Sequence, residues 1–387
     1  MCGIIGVYGH TNCILELYEG LLCIQHRGQD AAGIMTYDNT SFHLKKGFGL
    51  VRDVFKEKHI LRLNGGIGIG HVRYPTVGTG SKQDAQPFYV NTPYGIAMAH
   101  NGNVTNYLQL KKELLEENLR HLNSSCDVEV ILNVFADALL KQNTKKLRPD
   151  HIFKAVDEVY KRCKGSYSVV GIIGGKGLLL FRDPHGIKPL ILGQKGDKKI
   201  NYAAASESVA LDIMGYDEKR DVQPGEVIFI DENMKVHSKV LVKKEHTPCI
   251  FEYIYFARPD SLMDKISVYK TRLRLGRELA VQWKSLGLNV DSVIPIPESS
   301  RTAASSLSED TGINYREGFV KNRYIGRTFI MPNQAERTLS VKRKLNPIKL
   351  EFKGKDVLLV DDSIVRGTTS KKIIEMARNA GAKKVYL

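Results

Sequence analysis

Cys2 stands directly behind the initiator methionine, in "MCGIIGVYG". If Met1 is removed, this one residue carries both a thiol and a free α-amine. A thiol titrates near 8.5 and an α-amine near 7.7–8.0, so the amine can take the thiol proton close to neutral pH. Cys2 would then be nucleophile and base together, the first requirement for opening an amide. With Met1 attached, that amine does not exist and the chemistry is off.

Other residues could complete such a site. In "AHNGNVTN" the side-chain amide of Asn101 and the backbone N–H of Gly102 could form an oxyanion hole. The same dipeptide is also a favoured plain β-turn. Arg73, in "GHVRYPT", offers a guanidinium that could clamp an α-carboxylate through two hydrogen bonds. Asp127, in "CDVEV", is either a carboxylate for an α-ammonium group or a charge that complements a helix N-terminus.

A second constellation lies near the end of the chain. In "DVLLVDDSIVRGTTSKKIIEMA" an apolar strand runs into Asp361 and Asp362, then into Ser363, Arg366, Gly367, Thr368 and Thr369. Backbone N–H groups at a helix start, hydroxyls and a glycine make a phosphate cradle. The acidic pair would repel phosphate unless it meets ribose hydroxyls or a cation, and the Gly-Lys-Ser/Thr of a P-loop is absent. "PIPESSR", with Ser300, follows the preceding strand. "GFVKNRYIGRTFIMP", with Lys321, Arg323 and Arg327, reads either as a solvated loop or as a lid closing over an anion.

Elements must hold these residues in place. Short apolar runs bounded by Gly, Pro and Asp, among them "GGIGIGHVRY", "YGIAMAHNG", "SYSVVGIIGG", "GLLLFRDP" and "GEVIFID", predict strands. "SSCDVEVILNVFADALL" predicts a half-buried helix with Val128, Ile131, Leu132, Phe135 and Leu139 on its inner face, capped by Ser125. After the charged stretch "LVKKEHTP" (241–248) the order changes to helix (269–286), strand "VDSVIPIP", helix (from 301), strand "DVLLVDD" and helix (368–380). Short continuous apolar strands alternating with helices predict a doubly wound parallel sheet, with ligands at the carboxyl ends of its strands.

Composition narrows the classes. The 387 residues suit two domains, and 42% apolar with 26% charged residues is globular. No apolar run of about 18 residues or signal-peptide pattern occurs, so no membrane role and a cytoplasmic protein are expected. The six cysteines are scattered without a C-x-x-C pair, which excludes a zinc ribbon or a disulfide framework. Residues 1–240 hold 30 Lys and Arg against 26 Asp and Glu, a balance of +4; residues 241–387 hold 27 against 16, a balance of +11. The second part therefore expects an anionic partner. Aromatics are not interleaved with its basic residues, which favours small phosphates over nucleic acid.

In this order, "MCGIIG", "QHRGQDAAG", "GHVRYPT", "AHNGN" and "CDVEV" resemble the N-terminal-nucleophile glutamine amidotransferases. The resemblance implies a four-layer αββα glutaminase domain, set at residues 2–240. It implies Cys2 as nucleophile, Asn101 and Gly102 as oxyanion hole, Arg73 and Asp127 as glutamine ligands, and Arg27 as a buttress of the nucleophile. The acidic pair and its loop resemble the phosphoribosyltransferase signature, implying a domain over residues 250–387 that binds 5-phosphoribosyl 1-pyrophosphate with Mg2+. Asp361, Asp362 and Ser300 would face the metal, and Ser363, Arg366, Gly367, Thr368, Thr369, Lys321 and Arg323 the substrate.

With "CIFEYIYFARPDS" added, the chain from residue 2 onward resembles the amidophosphoribosyltransferase family. That implies ammonia from glutamine displacing pyrophosphate to give 5-phosphoribosylamine, the first step of purine synthesis, in a homotetramer fed back on by purine nucleotides. Iron-sulfur clusters occur in some members; only Cys249 falls where a ligand could sit, so none is expected here. Members continue past "GAKKVYL", so a shortened second domain is expected, with glutaminase intact and synthesis impaired. A sugar-phosphate aminating enzyme would need a different second domain, and a non-enzymatic regulator would have no use for Cys2 with its companions.

Overall fold

The computed structural model describes residues 2–74, 82–142, 146–322, 345–364 and 367–387. The chain forms two compact units. One runs to Cys249 and takes in Leu262–Lys265; the other comprises Ile250–Ser261 and Ile266–Leu387.

The first unit contains two antiparallel sheets. One has the order Glu218–Asp221, Ile191–Lys195, Asn201–Ala205, Gly3–Tyr8, Ile67–Arg73, Ala31–Tyr37, Phe42–Phe48. The other has the order Val236–Val240, Glu226–Asp231, Gly177–Arg182, Gly165–Ile173, Ile96–Val104, Phe88–Val90. Strand alternation decides how they stack. Ile4, Ile67 and Ile69 of the first sheet share a core with Ala97, Ala99, Val170, Ile172, Leu178 and Leu180 of the second. Ile96, Met98 and Val104 point the other way, into a core with the helices Asp127–Leu140 and Pro149–Arg162.

On the outer face of the first sheet lies the helix Ile14–Cys23. A Cβ at Gly68 would stand 2.5 Å from Leu17, and one at Gly70 2.9 Å from Leu21. The alternating glycines of "IGIGHV" are thus the face on which that helix rests. Helix, sheet, sheet and helix make four layers, as the resemblance implies.

Three local expectations are corrected. Asn101 and Gly102 form no turn: they lie inside the Ile96–Val104 strand, opposite Ser168 and Tyr167. The helix Asp127–Leu140 is not half-buried; every residue from Asp127 to Leu139 is buried, because Tyr107–Glu116 and Pro149–Arg162 pack along it as well as the sheet. Ser125 does not cap it. The cap position is Cys126, and Ser125 instead donates its N–H and Oγ–H to Asp84 Oδ1, both at 3.0 Å.

In the second unit the strands Ser292–Pro295, Asp356–Val360 and Lys384–Tyr386 form a parallel sheet. Val293, Leu358 and Val360 pack with Ala280, Trp283, Ala304 and Leu307 from the helices Val268–Ser285 and Arg301–Thr311. Ile294, Val357 and Leu359 face Ile373, Met376 and Ala377 of the helix Thr368–Asn379. Apolar residues on both faces of a strand require cover on both sides, which is what doubly wound means here. Most of the expected lid, Arg323 and Arg327 included, lies outside the described residues. Among the described residues no helix is long and apolar enough to cross a membrane.

Candidate active site

Cys2 enters the centre of the first sheet, since the Gly3–Tyr8 strand pairs with both Asn201–Ala205 and Ile67–Arg73. It is 9% exposed. Its N–H donates to Asn101 Oδ1 at 2.9 Å, and its Sγ lies 3.6 Å from the Tyr74 carbonyl. Arg27 Nε donates to the Cys2 carbonyl at 3.0 Å, and its Nη1 meets Glu207 Oε1 at 2.5 Å. Arg27 and Glu207 are wholly buried. The next residue, Gly28, runs against the Ile67–Arg73 strand, where a Cβ would fall 2.5 Å from the backbone of Arg73.

Burial pushes the Cys2 thiol up, and the Asp127 carboxylate adds to that, while the Arg73 guanidinium pulls it down. Asn101 is also wholly buried, and its Nδ2, unlike its Oδ1, has no hydrogen-bond partner. Gly102 has no room for a side chain, since a Cβ would stand 2.0 Å from the Ser166 carbonyl oxygen.

Arg73 ends its strand almost fully buried, with Nη2 3.5 Å from Asp84 Oδ2. Asp127 opens its helix. Its Oδ1 accepts from His100 Nε2 at 2.9 Å and its Oδ2 from the Val104 N–H at 2.8 Å. Burial raises the Asp127 carboxyl, but the His100 charge and hydrogen bond and the Val104 N–H outweigh it and hold it below the usual range.

In the second unit the register Pro295↔Val360 and the Ile296 N–H to Val360 O bond of 2.8 Å set two strand ends side by side. Their loops then meet: Ser299 Oγ donates to Asp362 Oδ2, and Ser363 Oγ donates to Asp362 Oδ1 at 2.6 Å. Asp361 Oδ1 accepts the Asp362 N–H at 2.9 Å. Burial, joined by the Asp362 charge, pushes the Asp361 carboxyl up to about 6. Ser300 sits at the cap position of Arg301–Thr311, its Oγ buried without a partner. Gly367, at φ 70°, caps Thr368–Asn379, leaving Thr368 and Thr369 exposed at the helix start. Lys321 ends the Phe319–Lys321 strand, exposed; Arg366 and Arg323 lie outside the described residues.

No group of three or more His, Cys, Asp or Glu side chains suited to a metal occurs among the described residues. Asp84, His100 and Glu207 escaped the sequence reading. Glu207 stands 180 residues from Arg27 and only the fold joins them. His100 alone carried a signal, as the neighbour of Asn101.

A family model described as a glutamine amidotransferase domain matches residues 71–212. The amidophosphoribosyltransferase of Pseudomonas aeruginosa is 55% identical over 390 residues, covering 100% of this chain and 78% of the relative. Those of Escherichia coli K12 and Saccharomyces cerevisiae are 53% and 48% identical with the same two coverages. Among solved structures, a glutamine phosphoribosylpyrophosphate amidotransferase from B. subtilis, complexed with ADP and GMP, superposes with a TM-score of 0.86 at 37% identity. It covers 99% of this chain and 80% of that one. A structure described as the allosteric regulatory enzyme of purine biosynthesis gives the same score and identity, with 100% of this chain covered and 80% of the other. With relatives this similar along its whole length, the chain belongs to the amidophosphoribosyltransferase family.

Proposed function

We propose that the first unit releases ammonia from glutamine and that the second uses it to replace the pyrophosphate of 5-phosphoribosyl 1-pyrophosphate. The products are 5-phosphoribosylamine, pyrophosphate and glutamate, and the step opens purine biosynthesis. The observation that carries the reading is Asn101: its Oδ1 accepts the Cys2 N–H at 2.9 Å, and its Nδ2 is buried with no partner. A buried amide donor costs free energy when unpaired, so its placement favours a ligand oxygen that arrives with negative charge.

With Met1 removed, the Cys2 amine takes the thiol proton and the sulfur attacks the glutamine amide carbon. The oxyanion is received by Asn101 Nδ2 and the Gly102 N–H. Collapse expels ammonia with the proton returned by the amine, leaving a thioester that water opens to glutamate. Arg73 binds the α-carboxylate, Asp127 the α-ammonium, and Arg27, braced by Glu207, fixes the Cys2 carbonyl. The glutaminase function is assigned to residues 2–240 and the transferase function to 250–387.

In the second unit, Asp361 and Asp362 face the ribose, Ser363, Gly367, Thr368 and Thr369 the 5-phosphate, and Lys321, Arg323 and Arg366 the pyrophosphate. Mg2+ fits the donor set, because two adjacent carboxylates and the unpartnered Ser300 hydroxyl are oxygen ligands of the kind that ion takes alongside substrate phosphates. When bound it offsets charge on the leaving pyrophosphate. Purine nucleotides are proposed as feedback ligands, a homotetramer as the assembly and the cytoplasm as the place of action.

Cys2→Ala tests the assignment. Glutamine-dependent ammonia release and synthesis should both vanish, while synthesis from added ammonium salt persists. Glutamine-dependent turnover surviving in Cys2→Ala would overturn it. The intact mass should lack Met1.

A further inference from the structure

We infer that His100 is a positioning residue for glutamine, fixing Asp127 so that its carboxylate selects substrates with an α-ammonium group. The inference rests on the reading of Asp127 as the ammonium ligand.

Asp127 is pinned at both oxygens, by His100 Nε2 at 2.9 Å and by the Val104 N–H at 2.8 Å. Both donors come from the Ile96–Val104 strand, the one that carries Asn101 and Gly102. The ammonium ligand is therefore indexed to the same strand as the oxyanion donors. The backbone at His100 is fixed as well, its main-chain N–H donating to Gln86 Oε1 at 2.7 Å. The residue is 2% exposed, and its Nδ1 is buried without a partner. Nε2 is the nitrogen that faces the carboxylate, so the proton it carries is the one shared with Asp127. His100 at one oxygen and Val104 at the other fix the carboxylate plane, with the Cys126 thiol at a longer 4.0 Å from Oδ1, and lone pairs remain for a further donor.

A purely structural role would predict loss of all activity together. A positioning role predicts loss of discrimination, because Asp127 freed at one oxygen can rotate away from the ammonium. The probe is 4-carbamoylbutanoate, which is glutamine without its α-ammonium. The ratio of kcat/KM for glutamine to that for the probe, read as ammonia release on one preparation of the whole chain, is independent of how much of a variant folds.

His100→Gln can place an N–H where Nε2 lies and should keep the ratio near wild type. His100→Asn is too short to reach and should lower it about ten- to a hundredfold, the weight of a hydrogen bond to a charged group. A ratio within twofold of wild type in His100→Asn overturns the inference. Asp127→Asn separates the two readings: if it leaves the ratio unchanged, the ammonium assignment fails and His100 with it. If it collapses the ratio while His100→Asn does not, only the role of His100 fails.

Discussion

Asn101 holds the Cys2 nitrogen with Oδ1 and keeps Nδ2 buried without a partner, the donor that the proposed oxyanion would take. Asn101→Ala should therefore lower glutaminase kcat by about a hundred- to a thousandfold, with ammonium-dependent synthesis kept, as steady-state rates with each nitrogen donor will tell. At the proposed second site the Asp361 carboxyl is raised to about 6. A raised carboxyl stabilises the fold below its unfolded value near 4, and that stabilisation is lost as pH rises through about 6. A cation needs the ionised form, so the sign for Mg2+ is opposite. Its affinity should fall as pH drops through about 6, approaching tenfold per unit, in a Mg2+ titration across pH 5–8. Asp361→Asn should flatten that slope. Both residue types were legible in the sequence, because their motifs pair a reactive group with a glycine or a second carboxylate. Asp84 and Glu207 were not, since a lone acid becomes a brace only when the fold brings an arginine to it.

Elements explain why the strands were readable and one turn was misread. Apolar runs bounded by glycine and aspartate report burial on both faces, which these stacked sheets impose. Asn-Gly reports a turn only where the chain reverses. Here Gly102 continues the strand because its bare Cα lets the Ser166 carbonyl pass, a contact made from 64 residues away and invisible locally. The return of Leu262–Lys265 to the first unit is another such case. Its anchor is the nearly fully buried Arg182, whose guanidinium meets Asp264 at 2.6 and 2.9 Å and the carbonyls of Gly186, Lys188 and Val222. Asp264→Ala would leave that cation buried with carbonyls alone and should destabilise the protein by about 3 kcal/mol, with Asp264→Asn losing less. Urea midpoints at equal slope would measure it; a shift under 0.5 kcal/mol would sink the argument.

At the scale of the whole molecule, charge separates the two chemistries. The balance of +4 over residues 1–240 and +11 over 241–387 was read directly from the sequence, as was the change from antiparallel strands to a doubly wound sheet. Glutamine is a zwitterion with no net charge, and its proposed clamp is one arginine and one buried carboxylate acting within a few ångströms. Phosphoribosyl pyrophosphate is a strong polyanion, drawn by the summed field of many lysines and arginines over distances comparable to the Debye length, about 10 Å at 0.1 M salt and 3 Å at 1 M. Salt therefore acts on one substrate and spares the other. Raising ionic strength from about 0.05 to 0.5 M with an inert monovalent salt, at saturating Mg2+, should raise the KM for phosphoribosyl pyrophosphate several-fold and leave the KM for glutamine within about twofold. Equal responses would mean that the basic surface of the second unit serves something other than substrate capture.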